Sequence, residues 1–173
     1  QTPIPLRLVG SEMCIRDSPC TGGCLFNAGI NAANPKCTEK LAAHWTLFKK
    51  LWKNFERLVA EFVHFPTIFE WPRRCTYWAL LRVLKLFRKL ELYFTDFDGC
   101  QYGLKSVMSK DEGTPLLKPW RFATNIPHVK EEFWHLCPGL SRDHQHGQTR
   151  GQNAIMSQYY TPYMTTLVHM VIY

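Results

Sequence analysis

The sequence predicts an α/β fold in which helices alternate with the strands of a parallel sheet. Apolar residues recur at alternating steps of four and three over residues 41–62, which predicts a long helix with one buried face. An apolar run over 62–69 predicts a buried strand, and a second helix and strand follow at 77–90 and 92–97. This alternation is typical of βαβ units, whose helices cover the sheet.

Length and composition describe a globular chain with a core of its own. The 173 residues are 46% hydrophobic and 14% aromatic, which suits one folded domain and excludes disorder. No apolar run approaches about 20 residues, so we expect neither a membrane span nor a membrane partner. The formal net charge of +7 is compatible with a nucleic-acid partner and equally with an ordinary basic surface.

The seven cysteines are spread unevenly and lack the dense spacing of a small secreted disulfide scaffold. No signal peptide is recognisable in the sequence. We therefore expect an intracellular, reduced protein, with the choice between nucleus and cytoplasm left open. A metal site explains the cysteines better than disulfides do.

The long helix is predicted to begin with Thr38 as its N-cap. Its apolar stripe either packs in the core, with a solvated basic side opposite, or forms a coiled-coil partner face of about three heptads. The stripe consists of Leu41, Trp45, Phe48, Trp52, Phe55, Val59 and Phe62, widened by Leu51 and Leu58, and the opposite side carries Lys49, Lys50, Lys53, Glu56 and Arg57.

The first strand is expected to stop abruptly at Glu70, because Trp71 and Pro72 follow. In open α/β sheets, ligands bind beyond the carboxyl ends of the strands. Glu70 is therefore either a functional acid at that edge or a carboxylate held by local backbone amides. The second strand also ends in a turn, at Gly99-Cys100, which is level with Glu70 if the two strands are parallel.

The elements that follow are shorter. Residues 116–125 are expected to be extended and carry Lys118 and Arg121, which are candidates for binding nucleic acid or another anion. The alternative for these two residues is an ordinary solvated basic edge. Residues 127–136 predict a short helix, and Thr161-Pro162 starts a closing helix, because proline suits the first helical position.

Cys100, Cys137, His144 and His146 form the strongest candidate metal site. Two thiolates and two imidazoles are a ligand set of tetrahedral zinc. Residues two apart in an extended segment lie on the same side, so His144 and His146 can face one ion. Because the spacing from Cys100 is long and not specific, the alternative is two buried thiols and two surface histidines.

A second candidate site pairs Cys20 with Glu70. Cys20 lies in a turn-rich stretch, Pro-Cys-Thr-Gly-Gly-Cys, that ends at Cys24. A thiolate nucleophile and a carboxylic acid at neighbouring strand ends can carry out covalent chemistry. Cys20 and Cys24 alternatively form the first half of a zinc knuckle, although no second half with matching spacing follows closely.

Residues 8–18, Leu-Val-Gly-Ser-Glu-Met-Cys-Ile-Arg-Asp-Ser, resemble the conceptual translation of a sequencing-library adapter. The resemblance covers the whole stretch. It implies that residues 1–18 are an assembly artefact, to be excluded from fold reasoning, and that 19–173 form a single truncated α/β domain. On this interpretation the native chain extends upstream of Pro19.

The order of motifs after Ser18 resembles the C-terminal half of a cytosine-C5-type, S-adenosylmethionine-dependent methyltransferase catalytic domain. The resemblance implies a truncated Rossmann-like, three-layer sheet with flanking helices, to which the metal candidate adds a loop-rich, zinc-bound C-terminal part. In the intact parent it implies Cys20 as the nucleophile, Glu70 as a base-contacting or structural acid, and Arg121 facing phosphate or substrate. The motifs are Pro19-Cys20, a strand ending in Glu70, a strand ending at Gly99-Cys100, and Lys118-Pro-Trp-Arg121.

A longer pattern resembles an uncharacterised domain of mobile-element-like polyproteins over nearly all of residues 19–165. Its parts are Phe-Glu-Trp-Pro, Asp-Gly-Cys-x-Tyr-Gly-Leu, Lys-Pro-Trp, Cys-Pro-Gly and His-x-His. Together the resemblances imply an inactive fragment of a methyltransferase-like domain that acts on nucleic acid in its parent. Because the glycine-rich cofactor loop would precede Pro19, S-adenosylmethionine is expected in the parent and not in this fragment.

Two alternatives to the methyltransferase fragment stay open. One is a non-catalytic, zinc-stabilised nucleic-acid-binding module of a mobile-element polyprotein. The other is an assembly chimera that does not fold stably, because a sheet edge is left bare where N-terminal strands belong.

Overall fold

The computed structural model describes residues 13–15, 23, 35–61 and 66–172, and it is a mixed fold of helices and strands. The strands are β1 (Met13–Ile15), β2 (Thr67–Pro72), β3 (Tyr93–Asp98) and β4 (Pro119–Thr124). The α-helices are α1 (Pro35–Glu61), α2 (Leu81–Lys89), α3 (Pro127–Glu132), α4 (Gln152–Met156) and α5 (Pro162–Ile172), and 3-10 helices cover Thr76–Ala79 and Gly99–Tyr102. Among the described residues, no helix combines the length and apolar character needed to cross a membrane.

The strands form one sheet in the order β1-β2-β4-β3. β1 pairs with β2 in parallel, with Met13 opposite Thr67. The end of β4 lies beside the start of β2, because the Asn125 N–H donates to the Thr67 carbonyl oxygen at 3.4 Å. The end of β3 lies beside the start of β4, because the Gly99 N–H donates to the Lys118 carbonyl oxygen at 2.9 Å. The three longer strands therefore form a small antiparallel sheet.

The α/β class predicted from the sequence agrees with this mixture of helices and strands, but the Rossmann-like three-layer sheet is not confirmed. A Rossmann-like sheet needs parallel neighbours joined by crossover helices. Here β4 is inserted between β2 and β3 and runs antiparallel to each of them. The connection from β3 to β4 contains a 3-10 helix and irregular chain instead of an α-helix.

The described chain divides into two compact units, whereas the sequence was interpreted as one domain over 19–173. The N-terminal unit comprises residues 1–93 and 123–125, and the C-terminal unit comprises 94–122 and 126–173. β1 belongs to the first unit and lies inside the stretch that resembles an adapter. The artefactual origin of that stretch stays a prediction.

The N-terminal unit is built around the apolar face of α1. Phe48, Trp52, Phe55 and Val59 are buried at steps of four, three and four, which confirms the predicted stripe. The ring of Trp52 lies 6.0 Å from that of Phe87 on α2. Each such aromatic side chain contributes about 1.5–3 kcal/mol through burial.

Two details of the predicted first helix differ in the structure. The helix begins at Pro35, three residues before Thr38, because proline fits the first turn, where no amide donor is needed. Leu51 and Leu58, which were expected to widen the buried stripe, are 43% and 42% exposed.

β2 extends beyond Glu70 to Pro72, so the expected abrupt end of the strand at Glu70 is wrong. Trp71 is buried and packs on Trp78 with ring centroids 4.6 Å apart, which holds the chain in the sheet for two further residues. The turn comes after Pro72, whose carbonyl oxygen accepts the Cys75 N–H at 2.8 Å.

The helix predicted over 77–90 is interrupted. A 3-10 helix, Thr76–Ala79, is followed by Leu80 in an extended conformation with φ −69° and ψ 127°, and α2 starts at Leu81. α2 then buries Val83, Leu86 and Phe87 against the core of the N-terminal unit.

The C-terminal unit has an aromatic core of its own. Phe97 on β3 lies 4.6 Å from Phe122 on β4 and 5.1 Å from Phe133, measured between ring centroids. The short helix predicted over 127–136 is present as α3 and ends at Glu132. The closing helix starts at Pro162 as predicted, and it buries Met164, Leu167, Val168 and Val171.

Candidate metal centre

Four side chains of the C-terminal unit converge on one point. They are the predicted metal ligands Cys100, Cys137, His144 and His146, and their sulfur and ring nitrogen atoms all lie within 4.8 Å of one another. All four residues are half-buried. The cluster can hold a metal ion, and its two thiols and two imidazoles are compatible with zinc.

The spacing of three of the ligand atoms, those of Cys137, His144 and His146, matches a tetrahedral site. Cys137 Sγ lies 3.4 Å from His144 Nε2 and 3.5 Å from His146 Nε2, and the two Nε2 atoms are 3.0 Å apart. A tetrahedral zinc, with bonds of about 2.3 Å to sulfur and 2.0–2.1 Å to nitrogen, separates S and N by about 3.6 Å and two N atoms by about 3.3 Å. Each observed distance agrees to within about 0.3 Å.

Cys100 enters the cluster from the end of β3. Gly99 begins the 3-10 helix that carries Cys100 and packs too tightly for a side chain. A Cβ at Gly99 would lie 2.8 Å from Leu104 Cδ2 and from a ring carbon of Trp120. Gly103 ends this helix in the left-handed conformation, with φ +76°. The close packing at Gly99 and the left-handed turn at Gly103 define the backbone that carries Cys100.

Asp98 attaches Cys137 to the end of the same strand. The buried Asp98 carboxylate accepts the Cys137 N–H at 2.9 Å, and the Asp98 N–H donates to the His135 carbonyl oxygen at 3.0 Å. These two bonds hold residues 135–137 along β3. Since Asp98 and Cys100 are two residues apart, the arrangement brings the two cysteines together.

The Tyr102 hydroxyl organises the segment that leads to Cys137. It donates to the Glu132 carbonyl oxygen at 2.9 Å and accepts the N–H groups of Trp134 and His135, each at 3.1 Å. Burial raises the pKa of Tyr102, so the phenol stays protonated and keeps its donor. One hydroxyl thereby satisfies three backbone groups just after α3.

Both cysteine sulfur atoms accept a hydrogen bond from a residue that is close to them in the sequence. The Gly139 N–H donates to Cys137 Sγ at 3.3 Å, and the Gln101 side-chain amide donates to Cys100 Sγ at 3.7 Å. Gly139 has φ +99°, which glycine adopts without strain. Donors of this kind stabilise metal-bound thiolates.

The two histidines lie on a short extended segment held at both ends. The Ser141 N–H donates to the His144 carbonyl oxygen at 3.1 Å, and the Gly147 N–H donates to the Pro115 carbonyl oxygen at 2.9 Å. A Cβ at Gly147 would lie 2.6 Å from Asp111 Oδ2, so the segment packs closely on the 105–115 hairpin. Both histidines then present Nε2, which leaves Nδ1 to carry the proton of the neutral ring.

Protonation in the metal-free protein follows from burial. Burial raises the pKa of the Cys100 thiol to about 11, and burial together with the charge of His144 lowers the pKa of His146. A divalent cation reverses the first effect, because it deprotonates a coordinating thiol. The neutral imidazole of His146 is already the form that binds metal.

Asn153 is a supporting residue that the sequence did not reveal. It is fully buried on α4, and its side chain donates to Ser106 Oγ at 2.9 Å and to the Gln148 carbonyl oxygen at 2.9 Å. Ser106 Oγ also donates to Asp111 Oδ1 at 2.8 Å. This network fixes the chain directly after the histidines. Asp98 ends β3 directly before the Gly99-Cys100 turn, so the sequence indicated its place at the strand end but not its bond to Cys137.

The other predicted site residues do not join this cluster in what the structure describes. Cys20 lies outside the described residues, and its role as a nucleophile stays a prediction. Glu70 is half-buried within β2 of the N-terminal unit. Its catalytic role also stays a prediction.

Lys118 and Arg121, predicted to bind nucleic acid or another anion, make internal contacts in the C-terminal unit. The Lys118 ammonium donates to the Ser157 carbonyl oxygen and hydroxyl, and lies 4.9 Å from the Trp120 ring centroid. The Arg121 guanidinium pairs with both oxygens of Asp96 at 2.6 and 2.8 Å. Binding of an external anion by either residue stays a prediction.

No family model, curated protein or solved structure matches this chain. Function therefore has to be argued from the site itself.

Proposed function

We propose that this chain is a non-catalytic module whose C-terminal unit is stabilised by one structural zinc ion. The observation that supports this proposal is the convergence of Cys100, Cys137, His144 and His146, of which the last three have the spacing of a tetrahedral site. Four protein ligands fill every position of a tetrahedral zinc, which is typical of structural sites. Catalytic zinc sites keep one position for water or substrate.

The ion has a clear mechanical role in this unit. Between the end of α3 at Glu132 and the start of α4 at Gln152, the chain forms neither helix nor extended strand pairing, apart from the bridge at Gly147. A zinc ion would join this irregular segment to the end of β3 through Cys100. Structural zinc supplies about 10–16 kcal/mol of apparent binding free energy in small zinc-finger peptides.

The thiols also support a reducing, intracellular setting for the proposed site. Cys100 and Cys137, the two cysteines of the proposed site, are free thiols. Thiolates available as zinc ligands are typical of compartments that keep cysteine reduced. Whether that compartment is the nucleus or the cytoplasm does not follow from the site.

Metal analysis of the purified chain tests the proposal. We expect one zinc per chain, and loss of that zinc in C137S and H146N. The matched controls are C75A, a buried cysteine in the other unit, and H128N, an exposed histidine, and both should retain one zinc. A wild-type protein that contains no zinc and is still folded and resistant to protease would overturn the proposal.

The methyltransferase interpretation stays a prediction with its own test. Its proposed nucleophile, Cys20, is outside the described residues, and its cofactor loop would lie upstream of Pro19. Adding the upstream coding sequence and measuring S-adenosylmethionine binding tests it directly. If the extended chain binds no S-adenosylmethionine, the methyltransferase interpretation is wrong.

A further inference from the structure

The charge of this protein is divided unequally between its two units. The N-terminal unit contains fourteen of the 21 lysines and arginines and seven of the 14 acidic residues. The C-terminal unit contains seven of each. The entire formal net charge of +7 therefore belongs to the N-terminal unit, which lies outside the metal cluster.

α1 carries a row of exposed basic side chains beside its buried face. Lys49, Lys53 and Arg57 follow one another at steps of four, so they align along one side of the helix. Lys50 is exposed next to this row. On a helix of 3.6 residues per turn, Lys53 lies about 100° to one side of the buried Trp52.

α2 carries a second row. Arg82, Lys85 and Lys89 are exposed at steps of three and four, and Arg88 is exposed beside them. The opposite side of this helix, represented by Val83 and Phe87, is buried in the core of the unit. The basic surface is defined here as Lys49, Lys50, Lys53 and Arg57 of α1 together with Arg82, Lys85, Arg88 and Lys89 of α2.

The two rows meet at one ion pair. Arg82 Nε donates to Glu56 Oε1 at 3.0 Å, and Arg82 Nη2 donates to Glu56 Oε2. Glu56 Oε1 also accepts the Trp52 indole N–H at 2.9 Å. Glu56, the acid at this junction, is therefore engaged by protein donors. Because Trp52 also packs on Phe87, the two helices are held side by side and the two rows form one surface.

We propose that this basic surface binds the phosphate backbone of nucleic acid without reading its sequence. Lysines and arginines on two rigid, adjacent helices can follow a line of phosphates. The rise over four helical residues is about 6 Å. One DNA strand advances about 3.4 Å per phosphate, so each row can contact roughly every second phosphate. Such contacts release counterions, and this release supplies the affinity.

An anionic membrane fits the surface less well. Membrane-binding helices insert an apolar face between the headgroups, next to their basic residues. The main apolar face of α1 is already buried in the protein core. The exposed leucines of α1 lie about 100–140° to the other side of Trp52 from Lys53, and on α2 one large apolar side chain, Leu81, is exposed. The leucines of α1 are Leu47, Leu51 and Leu58.

The test uses the full, zinc-loaded chain and fluorescent 30-mer DNA and RNA, single- and double-stranded, of mixed sequence. Fluorescence anisotropy is measured from 50 to 200 mM salt. The variant is K53Q/K85Q/K89Q, and the matched control is K105Q/K110Q/K130Q, which removes three exposed lysines from the C-terminal unit. Both variants change the net charge equally. Circular dichroism and urea denaturation confirm that each variant is folded.

We expect the wild-type affinity to fall steeply with salt. For K53Q/K85Q/K89Q, we expect the log–log salt slope to shrink by about three and binding at 0.1 M salt to weaken roughly a hundredfold. The control should bind within about threefold of wild type. Equal weakening in both variants, or no binding at 50 mM salt, would overturn the proposal. So would binding to phosphatidylserine vesicles or polyglutamate with no binding to any nucleic acid.

Discussion

The two units of this chain are stabilised in different ways. The N-terminal unit packs a long helix and a short one around a cluster of buried aromatic rings. The C-terminal unit has shorter helices, a long irregular segment and four convergent side chains that can hold a metal ion. In the N-terminal unit, regular helices supply a large buried apolar face. In the C-terminal unit, hydrogen bonds and a proposed ion add to an aromatic core and hold the irregular segment.

The same contrast applies to charge. In the N-terminal unit most basic side chains of α1 and α2 are exposed, and Arg82 is the one paired with Glu56. In the C-terminal unit Lys118 and Arg121 make contacts within the fold. The helices of the N-terminal unit thus leave most of their basic side chains on the surface, whereas the C-terminal unit uses two of its basic side chains in internal contacts.

Metal removal should have the largest effect and should separate the two units. On chelation we expect amides of the C-terminal unit near the cluster, such as those of 135–147, to lose several kcal/mol of protection. Structural zinc contributes about 10 kcal/mol or more in zinc-finger peptides. Amides in the middle of α1 should change little. Hydrogen exchange with mass spectrometry, before and after chelation, measures both. An equal loss of amide protection in both units would contradict the proposal that the ion stabilises only the C-terminal unit.

Replacing the central tryptophan of the N-terminal unit should have the next largest effect. Trp52→Ala removes a side chain that is 3% exposed and should lower the free energy of unfolding by about 3–5 kcal/mol. Zinc content should be unchanged. The neighbour Leu51, 43% exposed, is the matched control, and Leu51→Ala should cost less than about 1 kcal/mol. Similar losses in urea denaturation for both variants would show that α1 does not pack as described.

The Tyr102 hydroxyl should matter through the metal site. Tyr102→Phe leaves the ring in place but removes the partner of three backbone groups, at a cost of about 1–3 kcal/mol. Because this segment leads to Cys137, zinc affinity should fall about 10- to 100-fold. Competition with a chromogenic chelator measures that affinity. Tyr163→Phe, at an exposed tyrosine of α5, should bind zinc as wild type does. If Tyr102→Phe binds zinc as tightly as wild type does, the Tyr102 hydroxyl does not position the metal site.

The smallest expected effect concerns the ion pair between α1 and α2. Glu56→Gln should lower the free energy of unfolding by about 1 kcal/mol or less, because both partners are partly exposed and screened by solvent. The difference from wild type should shrink in 1 M salt. Denaturation at low and high salt measures it. A loss above about 3 kcal/mol would mean that the pair is effectively buried.

Part of the candidate site was readable because its signal is local and chemical. His144 and His146 are two apart, and Cys100 and Cys137 each lie in a glycine-containing turn. The supporting residues were less readable. Tyr102 bonds to backbone groups about thirty residues away. Asn153 bonds to a backbone group five residues away and to a serine 47 residues away. No local sequence pattern predicts such partners.

The limits of the fold prediction have a similar cause. Helix periodicity on α1 depends on residues three and four apart, so the sequence alone revealed its buried face. Whether two strands pair in parallel or antiparallel depends on which distant segment of the chain forms the neighbouring strand. The expected parallel neighbours β2 and β3 are separated by β4, which arrives after an irregular connection over residues 99–118.

The sequence by itself determined four of the five α-helices in outline, three of the four strands, the four candidate metal ligands and the excess of basic residues. These features depend on residue type and short spacing. Only the tertiary structure decided the antiparallel sheet, the convergence of the ligands and the side-by-side placement of two basic helix faces. Each of these results from packing between residues far apart in the chain, where the gain from burial and hydrogen bonding decides which segments meet.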